Sequence, residues 1–448
     1  MRSHKLADNE IKISSFRGDS LYADDIPVEH EICSLCQNNC KINKVTVRGE
    51  TAAFGFLCGR DYDTNRYREG LKKVFDPITY RKKVLTQPMK KQAFPRKKPS
   101  IGIPAALNLA EQVPLWKYFF NALGVETLTS EKLKGAVSEW RKLSRAEFCA
   151  PMNAFFGHVH NLADKCDFLF LPFYLEAPRR KEEGYRYYCY CSQFAPSLAA
   201  GMRSLDLKNK PLMPVIDHGS FQFRIELFSV LKPVLKVGYW EMYSAYETAL
   251  SWFEEAKSNL QNIYHREKPG SEEISVVLLG RPYTVMEPSM NKRIPEIFTS
   301  LGVKTFYQDM LPVDNEEVPI EIDLLLKRIH WNYPARILES ALYAARTPGL
   351  YPVYVTSFKC GPDSFTLEYF RRIMDSHGKP CLVLELDEHD SSVGYETRIE
   401  AAAGTFRNHN NRANIHKFQT LNYDGTQSNI NSRVAPYIRF SRAASPPR

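Results

Sequence analysis

The segment SIGIPAALNLAEQVPLWKYFFNALGVETLTS, residues 100–130, constrains the fold more than any other part of the chain. It reads as a short buried strand, a loop, an amphipathic helix with Leu115, Phe119 and Leu123 on one face, a turn at Gly124 and a second strand. The same grammar returns in ISVVLLGRPYTVMEPSMNKRIPEIFTSLGVKTFYQDML, residues 274–311. Further strand-like runs, DFLFLPF (167–173), LMPVID (212–217), YPVYVTSF (351–358) and PCLVLELD (380–387), are separated by helix-period segments. Strands that alternate with crossover helices pair in parallel, because the helix returns the chain to the same end of the sheet. The expected class is α/β, with two Rossmann-like domains of mostly parallel sheet at 101–268 and 270–405. Ligand sites in such domains lie at the C-terminal ends of the strands.

The segments outside these domains read differently. Residues 1–30 are polar and aperiodic, a disordered lead-in by composition. Residues 31–85 open with CSLCQNNCKINKVTVRGETAAFGFLCGR, in which Cys33, Cys36 and Cys40 precede a β-like KVTVRG and Cys58 follows it. Four cysteines in a turn-rich polar stretch have no core to fill, and C-x2-C-x3-C spacing with a fourth thiol closes a metal site. Spacing does not choose between zinc and a four-iron cluster. A Lys- and Pro-rich linker at 86–100 and a loosely ordered tail at 406–448 complete the expected division. Part of the excess of 60 Lys+Arg over 51 Asp+Glu sits in that linker and tail rather than on one face. No nucleic-acid module accompanies the charge, and no apolar run is long enough to span a bilayer, so neither nucleic acid nor membrane is an expected partner.

Ten cysteines without a secretory signal point to reduced thiols in a cytoplasmic protein, available for metal binding or catalysis. Cys149, in RAEFCAPMNAFFGHVHNL, opens an apolar helix. Cys189 and Cys191, in YYCYCSQFAP, follow a strand and loop. Cys360, in TSFKCGPDSF, comes directly after a strand. All are strand-end or helix-start positions, where loops of an α/β protein converge and a helix N-terminus favours a thiolate. Cys166 and Cys381 read instead as small hydrophobes in the core.

IGIPAALNLAEQVPLWKYFFNALGVETLTS, LLGRPYTVMEPSMNKRIPEIFTSLGV, YVTSFKCGPDSF and KPCLVLELDEHDSSVGYETRIEAA together resemble the activase-related members of the 2-hydroxyacyl-CoA dehydratase superfamily, over roughly residues 31–405. The resemblance implies an iron–sulfur cluster, expected to be 4Fe-4S, held by few cysteines. It also implies low-potential electrons delivered by an ATP-hydrolysing, actin-like activator that carries its own cluster, with a homologous dehydratase subunit as a further candidate partner. The chemistry implied is a reductive or radical dehydration, so the chain would be a lyase or a reductase component. Residue by residue, EFCAPMNAFFGH matches at Cys149, Gly157 and His158, CYCSQFAP at Cys189, Gln193 and Pro196, and KCGPDSF at Cys360, Gly361, Pro362 and Asp363. Cys191 is extra. The long single-chain members carry actin-like ATPase domains that this chain lacks, and it has no Gly-x-x-x-x-Gly-Lys-Ser/Thr loop. The chain is thus expected to be a partner subunit for a separate ATPase or a piece of the long form. A zinc-containing accessory protein without catalysis is the alternative.

Other candidates are weaker. Gly280 and Arg281, in GRPY, suit a phosphate or CoA contact, or simply a Pro-stiffened turn. His158 is a catalytic candidate through the match above. Glu388 and His389, in LDEHDSSVGYETRIEA, suit acid–base work or a polar loop that caps the next helix.

Overall fold

The computed structural model describes residues 27–32, 41–47, 50–54, 75–86, 98–133, 135–143, 148–177, 186–207, 210–218, 220–270, 273–288, 290–313, 318–386 and 393–423. The expected cysteine quartet, Cys33, Cys36, Cys40 and Cys58, lies outside these residues, as do Glu388 and His389. What is described there is a three-stranded antiparallel sheet, β1 (Val28–Ile32), β2 (Lys41–Val47) and β3 (Glu50–Phe54), in the order β1-β2-β3. The β-like KVTV run falls on β2.

Helix α1 (Pro77–Leu85) starts under an Asp76 cap whose carboxylate accepts from the Ile78 and Thr79 amides. The expected cysteine-rich module included this segment. Instead α1 packs on the α/β body, where Arg81 donates two hydrogen bonds to Asp309, at 3.0 and 2.6 Å.

The first α/β domain runs β4 (Ile101–Ile103), α2 (Leu109–Ala122), β5 (Thr127–Thr129), α3 (Ala136–Leu143), α4 (Ala150–Ala163), β6 (Phe168–Phe170), β7 (Phe173–Tyr174), α5 (Tyr190–Gly201), β8 (Pro211–Leu212), β9 (Val215–Ile216), α6 (Phe221–Leu235) and α7 (Tyr239–Glu267). The second runs β10 (Ser275–Leu279), α8 (Pro282–Val285), α9 (Ile294–Ser300), β11 (Lys304–Tyr307), a 3-10 turn (Gln308–Met310), α10 (Ile320–Arg328), α11 (Asn332–Arg346), β12 (Leu350–Ser357), α12 (Gly361–Ser376), β13 (Leu382–Leu386) and α13 (Val393–Tyr423). Each domain has a four-stranded sheet, β5-β4-β6-β8 and β11-β10-β12-β13, and every pairing in both is parallel. In both, the second strand in sequence lies outside the first, and the third and fourth lie on its other side. The connections therefore reverse direction between β4 and β6 and between β10 and β12, the crevices where open α/β sheets bind ligands.

The two domains share one hydrophobic core. Leu115, Phe119 and Leu123 are buried in it, as the helix period of α2 requires. Helix α7, about 43 Å long at 1.5 Å per residue, packs against α2, α1 and the 3-10 turn, and so straps the first domain to the second. The expected loose tail from residue 406 begins instead inside α13. Phe406 is buried and stacks on Tyr351 at 4.6 Å, and His409 meets the Tyr351 hydroxyl, so the core continues past residue 405 in a helix that runs to Tyr423. Among the described residues no helix is long and apolar enough to cross a membrane.

Candidate metal centre and the crevice beside it

Three long helices start on a cysteine. Cys149 is the N-cap of α4, Cys189 of α5 and Cys360 of α12, and none of the three thiols makes a capping hydrogen bond. An N-cap ordinarily carries Ser, Thr, Asp or Asn, whose side chain serves the first-turn amides at a gain of about 1 kcal/mol. Cysteine at all three forgoes that gain and leaves three positive helix ends facing sulfur. Proline follows in the first turn of α4 and α12, where its missing N–H costs nothing.

The chain sets each thiol by local means. Lys359 adopts a left-handed φ of 67°, turning the backbone sharply between β12 and Cys360. Ahead of Cys189, Gln193 reaches back from α5 and donates to the carbonyls of Leu175 at 2.8 Å and Tyr188 at 3.1 Å, pinning the loop. Cys149, Cys189 and Cys360 are half-buried and Cys191 is exposed, in hydrogen-bond contact with Cys189.

Arg281 joins these helix starts. It follows β10, adjacent to β12, and is 3% exposed. Its Nε donates to Asp363 Oδ1 at 2.9 Å and its Nη1 to the Tyr283 hydroxyl at 2.8 Å, while its buried Nη2 has no partner. Asp363 lies in the first turn of α12, three residues past Cys360, and its other oxygen accepts from Thr356 at 2.8 Å. Burial works against the guanidinium charge, but Asp363, Tyr283 and Cys360 outweigh it and hold the pKa well above its ordinary value. The same charge acts on the thiols of Cys149 and Cys191, and Tyr283 feels Cys189 and Cys360. Arg281 thus lies within electrostatic reach of Cys149, Cys191 and Cys360.

Burial pushes the Cys149 thiol up, the Cys191 thiol to about 11 and the Cys360 thiol to about 12. Without a bound cation these thiols are protonated at neutral pH; a metal ion reverses that, since a coordinating thiol is deprotonated outright. Soft sulfur donors at positive helix ends fit an iron–sulfur cluster or another thiophilic metal. Among the described residues no ready-made group of three metal-ligating side chains is assembled.

Residues 100–311 match the family model described as the CoA enzyme activase uncharacterised domain. Over that stretch the chain is similar to CoA-activase-related proteins. No curated protein matches it. The matched stretch holds Cys149, Cys189, Gly280 and Arg281, and ends before Cys360.

Gly280 takes part through its lack of a side chain: a Cβ there would stand 2.4 Å from the Val355 carbonyl oxygen. Its amide donates to Gln308 Oε1 at 3.2 Å. His158 is held by contacts of its own. It lies nine residues beyond Cys149 on α4, fully buried, with Nδ1 2.7 Å from Ser130 Oγ and Nε2 3.3 Å from Glu287 of the second domain. It pins the two domains together, and Gly157 beside it lets α3 and α4 touch, since a Cβ would meet the Ala136 carbonyl oxygen at 2.2 Å. Cys166 is buried in the shared hydrophobic core and Cys381 packs partly buried against that core. Trp331 caps α11 and its ring meets Tyr190 at 5.1 Å.

Sequence reasoning missed the crevice beside this centre, a cleft of about 570 Å³ between the domains. Tyr188, next to Cys189, and Gln308, bonded to Gly280, line it, together with His218, Lys257 and the Glu111–Arg336 pair. Arg336 grips Glu111 with two hydrogen bonds, at 3.3 and 3.2 Å, across the domain boundary. Tyr188, Tyr333 and Tyr283 stand in series between cleft and Arg281, with ring centroids 5.4 and 5.7 Å apart. These side chains are far apart in sequence, and only their hydrophobic spacing was visible there.

Proposed function

We propose that Cys149, Cys189 and Cys360 hold an iron–sulfur cluster of the 4Fe-4S type, and that the chain receives low-potential electrons from a separate ATPase with its own cluster. The reaction served is a reductive or radical dehydration of the kind the family resemblance implies. What supports this reading is the set of three uncapped helix N-termini, each headed by a cysteine, together with a buried arginine whose charge bears on Cys149, Cys191 and Cys360. Three thiolates to a four-iron cluster leave one iron open as a Lewis acid, and the cluster supplies one-electron redox chemistry.

The protein's own groups have definable tasks. The helix ends and Arg281 offset negative charge at the centre. The cleft lined by Lys257, His218 and the Glu111–Arg336 pair offers room for a small polar molecule. Tyr190, Phe194 and Leu198 on α5, with Phe358 and Phe365 on either side of Cys360, leave an apolar collar in solvent around the thiols. Exposed apolar patches of this kind mark docking surfaces, which suits delivery of electrons from a partner.

The test is anaerobic purification followed by metal and acid-labile sulfide analysis of the full chain and its Cys149→Ala, Cys189→Ala and Cys360→Ala variants. Brown protein with iron and sulfide, lost in each variant while far-UV circular dichroism is unchanged, supports the reading. Iron content unchanged in all three removes these residues as ligands. Colourless protein containing zinc supports the accessory role instead. The N-terminal quartet is read separately, through Cys36→Ala.

A further inference from the structure

Arg281 spends its donors unevenly. Nε serves Asp363 and Nη1 serves Tyr283, yet Nη2 is buried without an acceptor. Leaving a buried donor unsatisfied costs about 1–3 kcal/mol, more for a charged group, so such a group calls for a missing partner. The surroundings define that partner. Arg281 follows β10, Cys360 follows the adjacent β12, and Asp363 ties the guanidinium to the first turn of the helix that Cys360 heads. Its charge also bears on Cys149 and Cys191. An acceptor placed among these thiols, at three positive helix ends, is anionic and rich in sulfur.

Resting on the reading above, we propose that Arg281 is a positioning residue that donates from Nη2 to the anionic group held by Cys149, Cys189 and Cys360, and thereby eases its one-electron reduction. The physical basis is charge. Reduction adds one electron, taken from the donor, and makes the bound group more negative by one unit; a fixed cation beside it favours that form. Hydrogen bonds to cluster sulfur and net charge are among the levers that set such potentials. Asp363 acts in the opposite sense, since its carboxylate partly cancels the guanidinium. The pair therefore sets the potential between two limits, and each member moves it in its own direction.

The experiment is a mediator-dye redox titration, followed by electron paramagnetic resonance, of the anaerobically reconstituted full chain. Arg281→Gln is expected to lower the midpoint by at least a tenfold change in the reduction equilibrium, about 59 mV for a one-electron couple, with iron and sulfide content retained. Arg281→Lys, which keeps the charge but not the fork, falls between. Asp363→Asn, close to isosteric and the variant that keeps the test alive should Arg281→Gln fail to fold, raises the midpoint. Opposite shifts in the two variants are not produced by mere loosening of the structure. Loaded wild type and variants with the same midpoint overturn the role of Arg281 alone, and mean that water completes Nη2. A wild-type chain that takes up no iron or sulfide overturns the cluster reading and this inference together.

Discussion

At the scale of single residues, space and charge decide what can be exchanged. Gly280→Ala places a methyl group 2.4 Å from the Val355 carbonyl oxygen and 2.8 Å from Val285 Cγ1, between two adjacent strands of a parallel sheet. Backbone cannot step aside as a side chain end can, so the variant is expected to lose about 1–3 kcal/mol, read as a lower urea midpoint with an unchanged slope. His218 gives a second test. Its Nε2 lies 3.2 Å from Gln112 Oε1, which also accepts from Tyr174, so Nε2 carries the proton and Nδ1 accepts from the Tyr246 hydroxyl at 2.6 Å. Burial, with Lys257 and Arg224 adding to it, lowers its pKa to about 4. The unfolded chain therefore takes up this proton first. The contribution is complete above about pH 6.5 and is lost as pH falls toward 4, by at most about 3 kcal/mol. His218→Gln, which keeps an acceptor and a donor, should flatten the stability profile over that window relative to wild type; identical profiles would show that His218 titrates normally.

At the scale of elements, the sequence was most legible where local pattern and burial agree. The alternation of apolar runs and helix-period segments located the strands of both parallel sheets, and the cysteines at strand ends did become helix caps, because a helix start is a local property of a few residues. Contacts between distant segments were not legible. The GRPY turn suggested an anion contact at Arg281, but nothing near it in sequence announced Asp363, eighty-two residues on, as its partner. Nothing near His158, a catalytic candidate from its match, announced its contacts with Ser130 and Glu287. The composition of 406–448 suggested a loose end, yet Phe406 is buried on Tyr351 within a helix that runs to Tyr423. Phe406→Ala removes a 1% exposed ring stacked on Tyr351. It should cost about 3–5 kcal/mol and expose the α13 amides beyond it to hydrogen exchange while β10 and β12 stay protected. Uniform loss of protection would mean that α13 and the sheet unfold as one unit.

At the scale of the whole molecule, residues of both domains line one cleft at the boundary between them, where Tyr188, next to Cys189, and Gln308, bonded to Gly280, take part in the lining. Strapping by α7 and the Glu111–Arg336 and His158–Glu287 contacts hold that boundary together from several sides. The side chains of the proposed apolar collar are exposed to solvent. Phe365 is 79% and Phe194 59% exposed, on the two helices headed by Cys360 and Cys189, and neither contributes to the buried core. Changing both to aspartate should leave stability within about 0.5 kcal/mol and leave iron content and the dithionite-reduced spectrum unaltered. Electron delivery from the proposed ATPase partner, measured in a stopped-flow mix with ATP, should fall at least tenfold at sub-saturating partner, since about 1.4 kcal/mol of lost association is enough. The charge now placed on the collar would have to be desolvated against the partner, a cost that reduction by a small diffusible reagent never meets. If ATP-driven reduction proceeds at the wild-type rate in the double variant, the partner docks elsewhere. If reduction by dithionite slows equally, the collar shapes the centre itself rather than the approach to it.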